Sequence, residues 1–295
     1  MKLKLFIVTL GCGLIASGCN SLFYYPDALK YTLPEQLSEK FDDFRIPVGS
    51  QGETLHAWHL HSPVKSKKGL IVHFHGNAQN MSAHVQFVWW FLQEGYDLLT
   101  FDYRGYGQSD GKPSRENSVE DATAVLSAAR QIAKEGPIFI VGQSLGGAIA
   151  VAALQRQQAQ NSNFNALVLE SSFHSYRSVA QSKLASFVLT WPLQWPLSFL
   201  VTDEYSPSQS DSAFNIPTLL IHGSKDPVVP YQEGLELAHL IQKTNQGQTY
   251  FLTELGRQHT SCFASPQGSK CKNAVLSFFK DVVSSESQTL KDNSK

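Results

Sequence analysis

The sequence predicts an α/β fold, with an eight-stranded, mostly parallel sheet and helices on both faces. Three observations point there. From Phe44 onward, strand-like and helix-like stretches alternate, which implies parallel strands joined by crossover helices. The later strand-like stretches are short and apolar throughout, as strands covered on both sides must be. A glycine-rich turn, Gly142-Gln143-Ser144-Leu145-Gly146, lies between an apolar strand and an alanine-rich helix. At 295 residues, 42% of them hydrophobic, the chain can bury one large core.

The elements follow in order. Phe44–Val48 and Thr54–His61 read as strands, and their short connection makes them an antiparallel hairpin at one edge. Leu70–Phe74, Leu98–Asp102, Ile138–Val141, Ala166–Leu169, Thr218–Ile221 and Tyr250–Thr253 supply the other six. Helical patterns cover Ala78–Gln93, Ser118–Lys134, Gly146–Gln157, Tyr231–Gln242 and Asn273–Val283. An insertion interrupts the rhythm between Glu170 and Thr218. Its apolar stretch Leu184–Val201 fails as a membrane helix because Pro192 and Pro196 break it. Two short helices packed over the C-terminal edge of the sheet are expected instead, a cap at about residues 172–215. Trp191, Trp195 and Phe199 either line an acyl pocket there or are ordinary core. Residues 284–295 read as a disordered tail, which places the folded domain at 41–283.

The N-terminus has the anatomy of a signal peptide over residues 1–18: Lys2 and Lys4, an apolar stretch from Leu5 to Ile15, then small residues. Ala16-Ser17-Gly18-Cys19 resembles the bacterial lipobox, whose cysteine becomes the lipid-modified first residue. The resemblance implies a lipoprotein of the cell envelope, attached to the membrane through Cys19, with residues 19–40 as its tether. Asn20, in place of the aspartate that retains lipoproteins at the inner membrane, implies the outer membrane facing the periplasm. An uncleaved anchor or simple secretion is the alternative. In an oxidising compartment Cys262 and Cys271 read as a disulfide, the alternative being two free thiols. A net charge of −1 without a basic cluster argues against a nucleic-acid partner.

The turn at Ser144 carries the chemistry. In G-x-S-x-G between strand and helix, the serine sits in a strained conformation, and side chains two positions before or after it would collide with the neighbouring helix and strand. A serine hydroxyl needs a base, and a histidine base needs an acid to orient it. Asp226 follows an apolar strand in "LLIHGSKDPVVP", and His259 follows the last strand in "YFLTELGRQHTSC". Taken singly, each could be an ordinary loop residue; in the order Ser, Asp, His, each after its strand, they read as a triad. Backbone N–H groups of Leu145 and Asn77 are the expected oxyanion donors. His73 and His75 read as strand-end packing, and Arg104 as a brace of its loop. The pairs His59/His61 and His73/His75 have no cysteine or carboxylate set beside them in the sequence, so neither a metal nor another cofactor is expected.

The blocks "HFHGNAQN", "FDYRGYGQSDGKPS", "VGQSLGG", "LLIHGSKDPVVP" and "RQHTSC" resemble those of the α/β-hydrolase superfamily, over about 41–283. The branch most similar comprises serine hydrolases related to palmitoyl-protein thioesterases and serine aminopeptidase-like proteins. The resemblance implies Ser144 as nucleophile, Asp226 as acid, His259 as base, and Asn77 and Leu145 as oxyanion donors. It implies cleavage of carboxylic esters or thioesters of small-molecule or lipid-like acyl substrates through an acyl-serine intermediate. A serine aminopeptidase-like peptidase and a non-catalytic, lipid-anchored binding protein are the competing readings.

Overall fold

The computed structural model describes residues 23–157, 164–186, 189–264 and 269–292. Its strands are β1 (Tyr25–Pro26), β2 (Phe41–Val48), β3 (Glu53–Leu60), β4 (Gly69–Phe74), β5 (Ala78–Gln79), β6 (Tyr96–Phe101), β7 (Ile138–Gln143), β8 (Ala166–Glu170), β9 (Thr218–Gly223) and β10 (Thr249–Glu254). Eight of them form one sheet in the order β10-β9-β8-β7-β4-β6-β3-β2. The pairings from β10 to β6 are parallel, while β3 joins β6 and β2 joins β3 antiparallel, so the hairpin lies at one edge. From β4 the chain moves outward one way to β6, then returns to place β7 on the other side of β4. That reversal opens a crevice at the carboxyl ends of β4 and β7, where ligands bind in sheets of this kind.

Alternation along the strands divides the core in two. Leu70 and Val72 of β4, with Ile138 and Ile140 of β7, face α2 (Arg115–Ala133), α3 (Leu145–Arg156) and α6 (Tyr231–Thr244). Ile71, Phe139 and Val141 face the other way, onto α7 (Ser269–Asp292) and the segment 81–92. Each parallel strand is therefore apolar on both faces, which explains why these strands read as continuous apolar runs.

Three sequence expectations change. The helix expected over Ala78–Gln93 is instead β5, a short α1 (Met81–His84) capped by the Asn80 side chain, and two turns of 3-10 helix at Val85–Phe87 and Trp89–Leu92. Val85, Val88 and Phe91, three residues apart, are fully buried, and that spacing suits a 3-10 repeat better than an α-helix. The tail expected to be disordered is helical to Asp292, since α7 continues through it. Within the expected tether, residues 23–40 belong to the fold: Tyr24 is buried and β1 pairs with β5. The signal peptide and Cys19 lie outside the described residues.

Arg104 braces its loop as expected. Its Nε donates to Asp121 (2.6 Å), and its other nitrogens to Glu120 (2.8 Å), Glu53 (3.2 Å) and the Asn117 carbonyl (2.9 Å). Arg104 and Asp121 are both buried, so removing Asp121 leaves the buried Arg104 Nε and backbone N–H without their acceptor, although Glu120 and Glu53 still face the guanidinium. Asp121→Ala is expected to lower the free energy of unfolding by about 1–3 kcal/mol, read from urea melts.

Candidate active site

Ser144 stands between β7 and α3 with φ 53° and ψ −120°, a left-handed backbone that a non-glycine residue adopts only under constraint. Neighbouring chains supply that constraint. The Ser144 N–H donates to the Glu170 carbonyl at the end of β8 (2.9 Å). A side chain at Gly142 would lie 2.6 Å from the Gly147 Cα, and one at Gly146 would run into the carbonyls of Phe74 and His75. Glycine is required here because α3 starts against the ends of both β4 and β7.

Asp226 and His259 follow β9 and β10, and the structure joins them. His259 Nδ1 lies 2.8 Å from Asp226 Oδ2, and Asp226 Oδ1 accepts the N–H groups of Val228 (2.8 Å) and Val229 (2.9 Å). Burial pushes the Asp226 carboxyl up, but the His259 hydrogen bond and the two backbone donors outweigh it and hold the group below its ordinary value. The acid therefore stays ionised beside the imidazole. A hydrogen bond from Ser144 to His259 is not among the described contacts. The loop carrying His259 is nevertheless fastened to the end of β8 that also holds Ser144: Thr260 N–H donates to Ser171 Oγ (3.1 Å), and Cys262 N–H to Glu170 Oε1 (2.7 Å).

Glu170 was missed in the sequence, where it reads only as the end of a strand. Fully buried, it accepts Gln143 Nε2 (2.6 Å) with its second oxygen, and Gln143 in turn meets His73 Nε2 (3.1 Å). One carboxyl thus ties the residue before Ser144 to the loop carrying His259. The disulfide Cys262–Cys271, with Cα atoms 5.7 Å apart, fastens the far end of that loop to α7. His73 and His75 are buried packing, as expected; burial pushes His73 down to about 3.

Ser144, Leu145 and Asn77 open onto a cavity of about 550 Å³. Its walls come from α4 (Tyr176–Ala185), α5 (Gln194–Ser198), the residues after α5, and Val228 and Val229 beside Asp226. Phe23 and Tyr25 complete them, a contribution hidden because that stretch read as tether. Within the cap, Leu197, Leu200 and Val201 line the cavity, whereas Trp191, Trp195 and Phe199 are about 60% exposed and are neither lining nor core.

The most similar solved structures include the Pyrococcus furiosus esterase Pf2001, which aligns with 88% of this chain and 98% of its own at a TM-score of 0.68 and 19% identity. A thermostable carboxyl esterase from Bacillus coagulans aligns at 0.61 and 14% identity, over 82% of this chain and 99% of its own. The fold is that of the α/β-hydrolases. A family described as serine aminopeptidase, S33, matches residues 65–205, which include Ser144 but not Asp226 or His259. The uncharacterized protein YfhR of Salmonella typhi is 29% identical over 96% of this chain and 95% of its own length. The lysophosphatidylserine lipase ABHD12 of Danio rerio is 30% identical over 69% of this chain, which spans 56% of that protein. This chain is thus similar in fold to two esterases and in sequence to a family described as serine aminopeptidase and to a lipase.

Burial pushes the Glu170 carboxyl from 4.5 up to about 7, against the hydrogen bonds it accepts. Between those values the folded chain holds a proton that the unfolded chain has released, so this group makes stability fall as pH rises from about 4.5 to about 7. Glu170→Gln cannot ionise and lacks that slope, so the thermal midpoint of wild type minus that of the variant is expected to fall as pH rises from about 4.5 to about 7. It also sets an amide against the Gln143 amide and is expected to lower kcat/KM about tenfold.

Proposed function

We propose that the protein is a serine hydrolase that cleaves carboxylic esters of an extended acyl chain. The observation that carries the reading is the strained Ser144 at the floor of an apolar cavity, beside an ionised Asp226 already bonded to His259. In this mechanism His259 Nε2 takes the Ser144 proton as Oγ attacks the ester carbonyl carbon. The carbonyl electrons move onto oxygen, where the N–H groups of Leu145 and Asn77 receive the charge. Leu145 opens α3, whose amino-terminal dipole favours an anion at that point. The tetrahedral adduct collapses, the alkoxide leaves with the proton from His259, and the acyl group stays on Ser144. Water, deprotonated by the same histidine, then releases the acid and restores the serine. Asp226 holds the ring in the tautomer that leaves Nε2 free and stabilises the imidazolium. Substrate binding draws Ser144 and His259 into hydrogen-bond contact, since such contacts often tighten only in the complex.

The cavity lining favours an acyl chain. Among the described residues that line it, Lys183 is the one with a charged side chain, and its Nζ donates to the Pro227 carbonyl. A thioester of the same acyl chain meets the same requirements. The family description raises a peptidase as the second reading, but an aminopeptidase must hold a free ammonium, and a lysine beside the cavity opposes one. The lipid anchor at Cys19, which would place the enzyme at the outer membrane facing the periplasm, is part of the same proposal and suits a substrate that partitions into lipid.

On p-nitrophenyl esters, kcat/KM is expected to rise from butyrate toward longer chains, and Ser144→Ala to lower turnover about a millionfold. Equal rates in wild type and mutant would remove the proposed nucleophile, and faster turnover of aminoacyl amides would favour the peptidase. Cys19→Ser is expected to move the protein from the membrane fraction to the soluble fraction on cell fractionation.

A further inference from the structure

At the end of the sheet opposite the catalytic crevice, strand pairing assembles a cluster that the local sequence does not reveal. His59 in β3 and His61 just beyond it have no carboxylate beside them in the chain. Pairing of β2 with β3 sets Asp42 directly across from His59. Asp42 Oδ2 then lies 3.4 Å from His59 Nδ1 and 3.0 Å from His61 Nε2. The two rings lie close, their centroids 4.1 Å apart. The three ligand atoms fall within 4.8 Å of one another.

We propose that Asp42, His59 and His61 form a binding site for a divalent transition metal of the zinc type. Bonds of about 2.0–2.2 Å in a tetrahedral arrangement separate neighbouring ligand atoms by about 3.3 Å, close to the carboxylate-to-imidazole spacings here. Imidazole nitrogens and one carboxylate select a borderline metal over calcium or magnesium, which favour all-oxygen sites. The second carboxylate is where such a site places it. Asp97, near the start of β6, points Oδ2 at the two ring nitrogens that the metal leaves free, 3.8 Å from His59 Nε2 and 3.6 Å from His61 Nδ1. Its Oδ1 is held by Lys67 Nζ (2.7 Å) and the Ser62 N–H (2.7 Å). Metal-bound histidines usually give their other N–H to such an outer carboxylate, which fixes the tautomer. His59 Nε2 is buried and has no hydrogen-bond partner, and metal at Nδ1 would put a proton there, facing Asp97. Asp42 is exposed, which leaves the fourth position to water and gives the ion a route in from solvent. The bound ion would join β2, β3 and, through Asp97, β6 at an edge of the sheet, away from the acyl chemistry.

The test uses the whole mature protein without a histidine tag, its disulfide intact, stripped with a chelator and dialysed. Calorimetric titration with Zn²⁺ is expected to give one ion per chain, and saturation to raise the thermal midpoint by about 5 °C. Ca²⁺ and Mg²⁺ are expected to do neither. Asp42→Asn and His61→Gln should each abolish the one-to-one binding, while Asp97→Asn weakens it about 10–100-fold. Because Asp42 is exposed, Asp42→Asn decides the matter even where a histidine variant folds poorly; its metal-free thermal midpoint should match that of wild type. Zinc binding by Asp42→Asn as tight as that of wild type, or no binding by wild type at tens of micromolar zinc, would overturn the proposal. Ester turnover by stripped protein is expected to equal that of loaded protein, so failure here and failure of the hydrolase reading are separate results.

Discussion

A single backbone residue, Ser144, is forced into a left-handed conformation at the point where three strands and a helix converge, and the site is organised around it. The turn exists because α3 must start immediately after β7 while packing against the end of β4. No side chain fits between them, hence the glycines at 142 and 146, while a side chain at 147 would run into Ser172. The Ser144 N–H is bonded to β8, so the strain is held by the sheet and does not relax into the helix. Glu170, one residue back along the neighbouring strand from Ser171, extends the same fixation to the loop that carries His259. Ser144 and His259 come from distant parts of the chain, and both are referred to the end of one strand.

The sheet and the serine turn were legible in the sequence because both impose a pattern over consecutive residues. Doubly covered strands must be apolar throughout, and the turn must lack side chains at fixed offsets. Asp226 and His259 were legible by their order after strands. What could not be read depends on contacts between distant segments. Glu170 looks like any strand end until the Cys262 N–H is beside it. Phe23 and Tyr25 look like tether until β1 pairs with β5. The pairing of Asp42 with His59 is a matter of strand register, which no local window contains. The segment 81–92 misled for a different reason: its apolar residues fit two helical periods, and packing selected the tighter one.

The cavity divides into a floor and walls of different origin. The floor consists of Asn77, Ser144 and Leu145, just beyond the ends of β4 and β7. The walls come from an insertion, the amino-terminal stretch and the turn after Asp226, so the shape of the cavity can vary without disturbing Ser144, Asp226 and His259 below it. The outer surface of the insertion, by contrast, leaves two tryptophans and a phenylalanine in solvent. Exposed aromatic side chains of this kind commonly mark contact with another surface.

Phe23 is at once the first described residue and part of the cavity wall. With a lipid on Cys19, as proposed, only four residue steps separate the acyl anchor from that wall. Fully extended, they span at most about 14 Å. On so short a leash the enzyme could not swing freely above the bilayer or reach across the periplasm. Its mouth would graze the headgroups of the leaflet that holds it, and its diet would be whatever acyl lipid that leaflet offers.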